Sequence, residues 1–117
     1  MSAHPHSGAV SAAKLRAQAP VFAALGDETR LSLVARLSSG ASLSITELTT
    51  GARVTRQAIT KHLRVLEDAG LVRGVRRGRE SLYQLSPEPL EEARRALNVI
   101  SEQWDQALAR LKAFVEE

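Results

Sequence analysis

Apolar residues recur along this chain in a helical rhythm, broken by glycines, capping residues and one alternating stretch. Leu15, Val21, Phe22 and Leu25 mark a first helix from Ala12 to Leu25, which Pro20 is expected to kink or divide and Gly26 closes. Asp27 is a suitable N-cap for a second helix, and Glu28 suits the positive end of its dipole. Leu31, Val34, Ala35 and Leu37 form its stripe, and Gly40 ends it. Ser44 and Glu47 then have capping-box spacing, with Leu43 and Leu48 placed as a hydrophobic staple, so a short helix starts there and stops at Gly51. A fourth helix is predicted from Arg56 to Ala69. Thr55 is its cap, Val54 and Ile59 its staple, and Gly70 its C-terminal stop, with Leu71 within reach of Leu66 in a Schellman arrangement.

The period then changes. Leu71 to Arg76 and Arg79 to Leu85 read as a β-hairpin, with Ser81, Tyr83 and Leu85 alternating against Glu80, Leu82 and Gln84, and Arg77-Gly78 as the turn. Ser86-Pro87 opens a last helix running to about Glu117. Residues 1–11 read as a flexible polar tail and 12–117 as one domain, mainly α with a small β-hairpin: a winged helix-turn-helix.

Composition narrows the chemistry. There is no cysteine, which removes disulfides, thiolate metal sites and cysteine nucleophiles. Apolar runs are too short to cross a membrane and the N-terminus lacks a signal-peptide pattern, so a cytoplasmic location is expected. Charge is unevenly spread. Between Arg53 and Arg79 stand eight basic residues against two acids, a local +6 in a chain whose total is +3. One segment therefore carries a positive field suited to an anionic partner.

That segment contains the helix-turn-helix. On its second helix Ile59, His62, Leu63 and Leu66 follow i, i+3, i+4, i+7 and face inward, with His62 expected as a packed, hydrogen-bonded side chain. Arg56, Gln57, Thr60, Lys61 and Arg64 cover the outer side. A helix fits the major groove, about 12 Å wide, where Arg reads guanine, Gln reads adenine and Thr meets a thymine methyl. Arg56, Gln57 and Thr60 are assigned to bases, Thr55 to the start of the reading helix, and Lys61 and Arg64 to phosphates. Arg76, Arg77 and Arg79 crowd the hairpin tip, where like charges add no stability and duplex DNA would neutralise them.

The last helix has a different use. Leu90, Leu97, Trp104 and Leu111 are spaced by sevens, as are Ala93, Ile100, Ala107 and Phe114, and Leu108 and Val115 widen the stripe. About 28 residues of helix span roughly 42 Å, longer than so small a domain covers. Leu97, Ile100, Trp104, Leu108, Leu111 and Val115, with Leu15 and Phe22 of the first helix, are therefore assigned to a homodimer interface. Twofold symmetry then asks for an inverted-repeat operator with half-sites about 34 Å apart or a multiple of that. Asp27 and Arg30 read as a cap and a local ion pair. Ser44 is a cap rather than a nucleophile, and Glu91 and Glu92 are dipole partners in a first turn. No nucleophile–base pair, metal cluster or phosphate loop points to an enzyme or a cofactor. Two other readings are a winged-helix module for protein assembly and a non-specific DNA binder.

The run Leu25-Gly26-Asp27-Glu28-Thr29-Arg30, the stretch from Thr55 through Lys61-His62-Leu63 to Gly70-Leu71-Val72, and Arg76-Arg77-Gly78-Arg79 with Tyr83-Gln84-Leu85 together resemble the ArsR/SmtB family over about residues 12 to 115. The resemblance implies a dimeric repressor that leaves its operator on a signal, through an effector, small molecule or protein. It departs from the family's metal sensors. Leu48-Thr49-Thr50 stands where they carry a Cys-x-Cys pair, and no histidine occurs between Glu88 and Glu117. The chain is similar to the metal-free branch, whose tryptophan-bearing last helix resembles Glu102-Gln103-Trp104-Asp105.

Overall fold

Six large side chains are sealed from solvent: Leu37, Leu48, Ile59, Leu63, Leu66 and Leu71. A computed structural model, which describes residues 12–116, shows how the chain brings them together. The elements are α1 (Ala12–Leu25), α2 (Glu28–Leu37), β1 (Leu43–Ser44), α3 (Ile45–Thr49), α4 (Arg56–Asp68), β2 (Val72–Arg77), β3 (Glu80–Leu85) and α5 (Pro87–Glu116). The expected tail at 1–11 and the final residue lie outside the described residues.

The caps act where their residue types belong. Asp27 Oδ2 accepts from the Arg30 N–H at 3.0 Å and starts α2. Ser44 and Glu47 form a complete capping box on α3. At the end of α4, Gly70 N–H donates to Glu67 O and Leu71 N–H to Leu66 O, both at 2.9 Å. That is a Schellman motif, and it requires the left-handed backbone Gly70 adopts at φ +78°. It turns the chain so that Leu71 enters the core and β2 begins alongside α4.

Several expectations are corrected. Pro20 does not divide α1, which runs unbroken. Its ring is on the exposed side, and burial of Val21 and Ala24 holds the helix across the missing N–H. The buried stripe of α2 is Leu33, Val34 and Leu37, whereas Leu31 is 54% exposed and Ala35 faces solvent. The α2 helix stops at Leu37, before Gly40. The hairpin turn is Gly78-Arg79, one residue later than expected, because Arg77 still pairs with Glu80.

The sheet also has a third strand. β1 pairs with β3, Leu43 opposite Tyr83 and Ser44 opposite Leu82, giving the antiparallel order β1-β3-β2. Gln84 Nε2 donates to Ser42 Oγ at 2.6 Å beside it. Two residues cannot display an alternating pattern, so this strand exists only through its distant partner.

α5 departs from the body of the protein. Only Ala93 and Ala96 are buried along its 30 residues, and every described residue from 101 onward is exposed. The helix extends the molecule to 64 × 38 × 21 Å. Its first half packs on α1, where Gln18 is buried with an Oε1 that lacks a hydrogen-bond partner among the described residues.

Replacing Gly70 by alanine tests the α4 stop. A Cβ there would meet only Pro89 Cγ at 3.7 Å, an ordinary contact, so the cost is the left-handed backbone itself, about 1–2 kcal/mol. Thermal unfolding at fixed protein concentration should show a midpoint lowered by roughly 5 °C.

Candidate nucleic-acid interface

The helix-turn-helix is α3, a six-residue connection (residues 50–55) and α4. A helix as short as α3 is marginal alone, and Arg36 of α2 braces it. The Arg36 guanidinium donates to Leu48 O and Glu47 O, both at 2.9 Å, so a charged donor satisfies carbonyls at the end of α3. Thr49 and Thr50 hydroxyls bond back to Ile45 O and Thr46 O at 2.7 and 2.9 Å. Thr55 Oγ1 accepts from the Ala58 N–H at 3.1 Å and fixes the start of α4.

The two faces of α4 separate as its spacing requires. Ile59, Leu63 and Leu66 are buried, while Arg56, Gln57, Lys61 and Arg64 are exposed and Thr60 is half-buried. Two outer side chains are partly committed. Arg56 Nη1 donates to Thr46 Oγ1 at 3.0 Å, so α3 holds this arginine at the start of α4. Thr60 Oγ1 donates to Arg56 O at 3.0 Å, which commits its hydroxyl proton and leaves the oxygen able to accept. Sequence reasoning missed Thr46 and Arg36, because neither carries a motif and both act through residues ten or more positions away.

The wing carries its arginines differently from a simple cluster. Successive strand residues point to opposite faces, so Arg76 and Arg77 lie on opposite sides of the ribbon and Arg79 sits in the turn. All three are exposed, and none makes a hydrogen bond or ion pair among the described residues. The tip therefore offers positive charge to both sides. At its base, burial first and Glu67 second push the Tyr83 phenol above its ordinary value, so this hydroxyl stays protonated.

Behind α4, His62 is half-buried and its Nδ1 stands 3.2 Å from Arg30 Nη1 and 3.8 Å from Asp27 Oδ2. The hydrogen-bonded histidine is found, but the expected ion pair of Arg30 with Asp27 is not. Arg30 instead sends its guanidinium to Ala24 O at 2.7 Å, Ala23 O at 3.4 Å and His62.

The residues assigned to dimerisation fall on one surface in part. Leu97, Trp104, Leu108, Leu111 and Val115 are exposed on α5, with Trp104 at 63%, and Leu15 is exposed on α1. Ile100 is half-buried. Phe22 also packs against the core, so it has a structural task within one chain. Among the described residues no group of three His, Asp or Glu could hold a metal ion, and no helix is long and apolar enough to cross a membrane.

Known proteins share this arrangement. A helix-turn-helix domain family model matches residues 25–75, from the end of α1 into β2. The HTH-type transcriptional regulator YuzN of Bacillus subtilis is 44% identical over 77 residues, covering 61% of this chain and 84% of that one. The arsenical resistance operon repressor of Escherichia coli is 32% identical over 96 residues, covering 81% and 79%. Among solved structures, an ArsR-like transcriptional regulator from Rhodococcus sp. RHA1 superposes with a TM-score of 0.76 at 40% identity, covering 92% of this chain and 97% of that one.

The cap at Asp27 has a pH signature. The Arg30 backbone N–H, outweighing partial desolvation, holds the Asp27 carboxyl below its ordinary value of 3.8, helped by the charges of Arg30 and His62. A lowered folded-state value means a contribution present above pH 3.8 and lost as pH falls through the folded value. Asp27→Asn keeps a cap acceptor without that titration. Acid unfolding followed by circular dichroism should therefore show a shallower loss of stability below that pH in the variant.

Proposed function

This chain belongs to the ArsR family of winged helix-turn-helix, DNA-binding transcriptional regulators, and we propose that it represses transcription as a homodimer on an inverted-repeat operator. The observation that carries this reading is α4 itself. It is capped at both ends, anchored by three buried apolar residues, and free to present Arg56, Gln57, Thr60, Lys61 and Arg64 outward beside a wing whose three arginines have no side-chain partner among the described residues. On this reading Arg56 and Gln57 read base edges in the major groove, Thr60 offers a methyl to thymine, and Lys61 and Arg64 hold phosphates. Arg76, Arg77 and Arg79 reach the flanking backbone or minor groove.

The dimer follows from α5. Leu97, Trp104, Leu108, Leu111, Phe114 and Val115 expose more apolar surface along one helix than a small monomer keeps. A second copy would cover it, together with Leu15, and would set two copies of α4 for a twofold-symmetric site. Repression is supported by the similarity to the Escherichia coli repressor. With no cysteine in the sequence, thiolate-based sensing is not part of the proposal, and release falls to an effector of other chemistry.

Selection of binding sites from random duplex DNA at near-physiological salt tests the reading. One inverted repeat should emerge, with half-sites about one helical turn, 34 Å, or a multiple apart. An intact dimer that enriches no sequence would overturn specific recognition in favour of non-specific binding or protein assembly. On the selected site, Gln57→Ala should cost about 1–3 kcal/mol and relax one base position. Arg77→Ala should weaken all sequences alike and lower the logarithmic salt slope by about one. Titrations by fluorescence anisotropy across salt concentrations separate the two effects.

A further inference from the structure

We infer that Arg30 is a positioning residue for DNA recognition: through His62 it fixes the angular setting of α4 against α1, and so the separation of the two recognition helices in the dimer. The inference rests on the dimeric operator reading above.

Arg30 lies in the first turn of α2 and is half-buried. Its guanidinium is bonded in two directions. Nε and Nη2 donate to Ala24 O and Ala23 O in the last turn of α1, and Nη1 lies 3.2 Å from Nδ1 of His62 in the middle of α4. Both carbonyls are in the last turn of α1, at the negative end of the dipole, where a cation is favoured; Ala23 O also accepts from the Gly26 N–H at 3.2 Å, so the bond to Ala24 O at 2.7 Å is the main anchor. Arg offers only donors, so the contact is a hydrogen bond in the neutral imidazole tautomer whose Nδ1 accepts. The Arg30 backbone N–H is held in turn by Asp27 Oδ2 at 3.0 Å, which keeps the stem in place.

The remaining contacts of the two helices make this link informative. α4 packs on α2, α3 and β2, while α1 packs on α2 and α5. The buried anchors of α4, namely Ile59, Leu63 and Leu66, are apolar, and apolar contacts are non-directional. They fix which face of the helix is inward, but being non-directional they resist small rotations about its axis only weakly. A planar guanidinium with donors on several edges does resist them, and a lysine, with its compact point charge, cannot bridge both partners in the same geometry.

In a twofold dimer, any rotation of α4 against α1 is doubled in the relation between the two recognition helices. One base pair is a rise of about 3.4 Å and about a tenth of a helical turn, so a loosened α4 should show as a loosened demand on half-site spacing.

The test uses the full chain and duplexes carrying the selected half-sites at the preferred spacing and at one and two base pairs shorter and longer. Wild-type affinity should peak at one spacing and fall about tenfold on either side, the cost of a poorly matched site. Arg30→Gln should bind the best duplex about tenfold more weakly, the loss expected for a hydrogen bond to a charged group, and should flatten the profile. Arg30→Lys should not restore it. His62→Leu, which tests the same link with Arg30 intact, should flatten it too, whereas His62→Asn, which keeps an acceptor near the Nδ1 position, should keep it sharp. Sharp profiles in Arg30→Gln and His62→Leu would overturn the inference, whatever their affinity, since a merely stabilising role lowers binding without changing spacing. A wild type without a preferred spacing would overturn the dimeric reading, and this inference with it.

Discussion

The inner face of α4 carries Ile59, Leu63 and Leu66, which close against a floor that includes Leu33 and Leu37 of α2 and Leu48 of α3, and the rest of the molecule is arranged around that contact. Burying each such side chain is worth about 1.5–3 kcal/mol, and in a small domain no other surface is available to replace it. The contact commits one side of the helix and leaves the other in water. Arg56, Gln57, Lys61 and Arg64 stay outside because a charged or amide side chain could not enter that core without losing its hydrogen bonds. Placement of the reading face is thus a consequence of how the opposite face is packed.

Polar contacts add direction to this anchoring. Arg36 bonds to the end of α3, Thr46 of α3 bonds to Arg56, and Arg30 joins the end of α1 to His62. Each crosses from one helix to another, and each uses an Arg donor whose planar geometry fixes orientation. The wing works by the opposite means. Its arginine side chains have no partners among the described residues and keep their charge available, and the pleat of β2 sends Arg76 and Arg77 to opposite sides. On the proposed reading, a helix held firmly beside a ribbon with available charge combines base contacts that need precise placement with phosphate contacts that tolerate movement.

α5 follows a third logic. Ala93 and Ala96 are small enough to let it approach α1 closely, and from residue 101 onward no described residue of the same chain buries it. On the proposed dimeric reading, a second copy covers its large apolar residues.

Much of this was legible in the sequence because the signals are local. Caps at Asp27, Ser44 and Thr55, the stop at Gly70, the two faces of α4 and the heptad spacing of α5 all depend on residues within a few positions of one another, where backbone geometry leaves few choices. The sequence by itself therefore determined the order of the elements, the inner and outer faces of α4 and the family resemblance. What only the tertiary structure decided lies between distant segments. β1 exists because Leu43 meets Tyr83, Leu33 rather than Leu31 enters the core, and Arg30 meets His62 across 32 positions. Arg30 and Asp27, three residues apart, look like an ion pair in sequence, but a guanidinium on a long flexible stem takes whichever acceptors the fold brings near. It takes two carbonyls of the last turn of α1 and an imidazole rather than the capping carboxylate, and only the packing of α1, α2 and α4 brings them within reach.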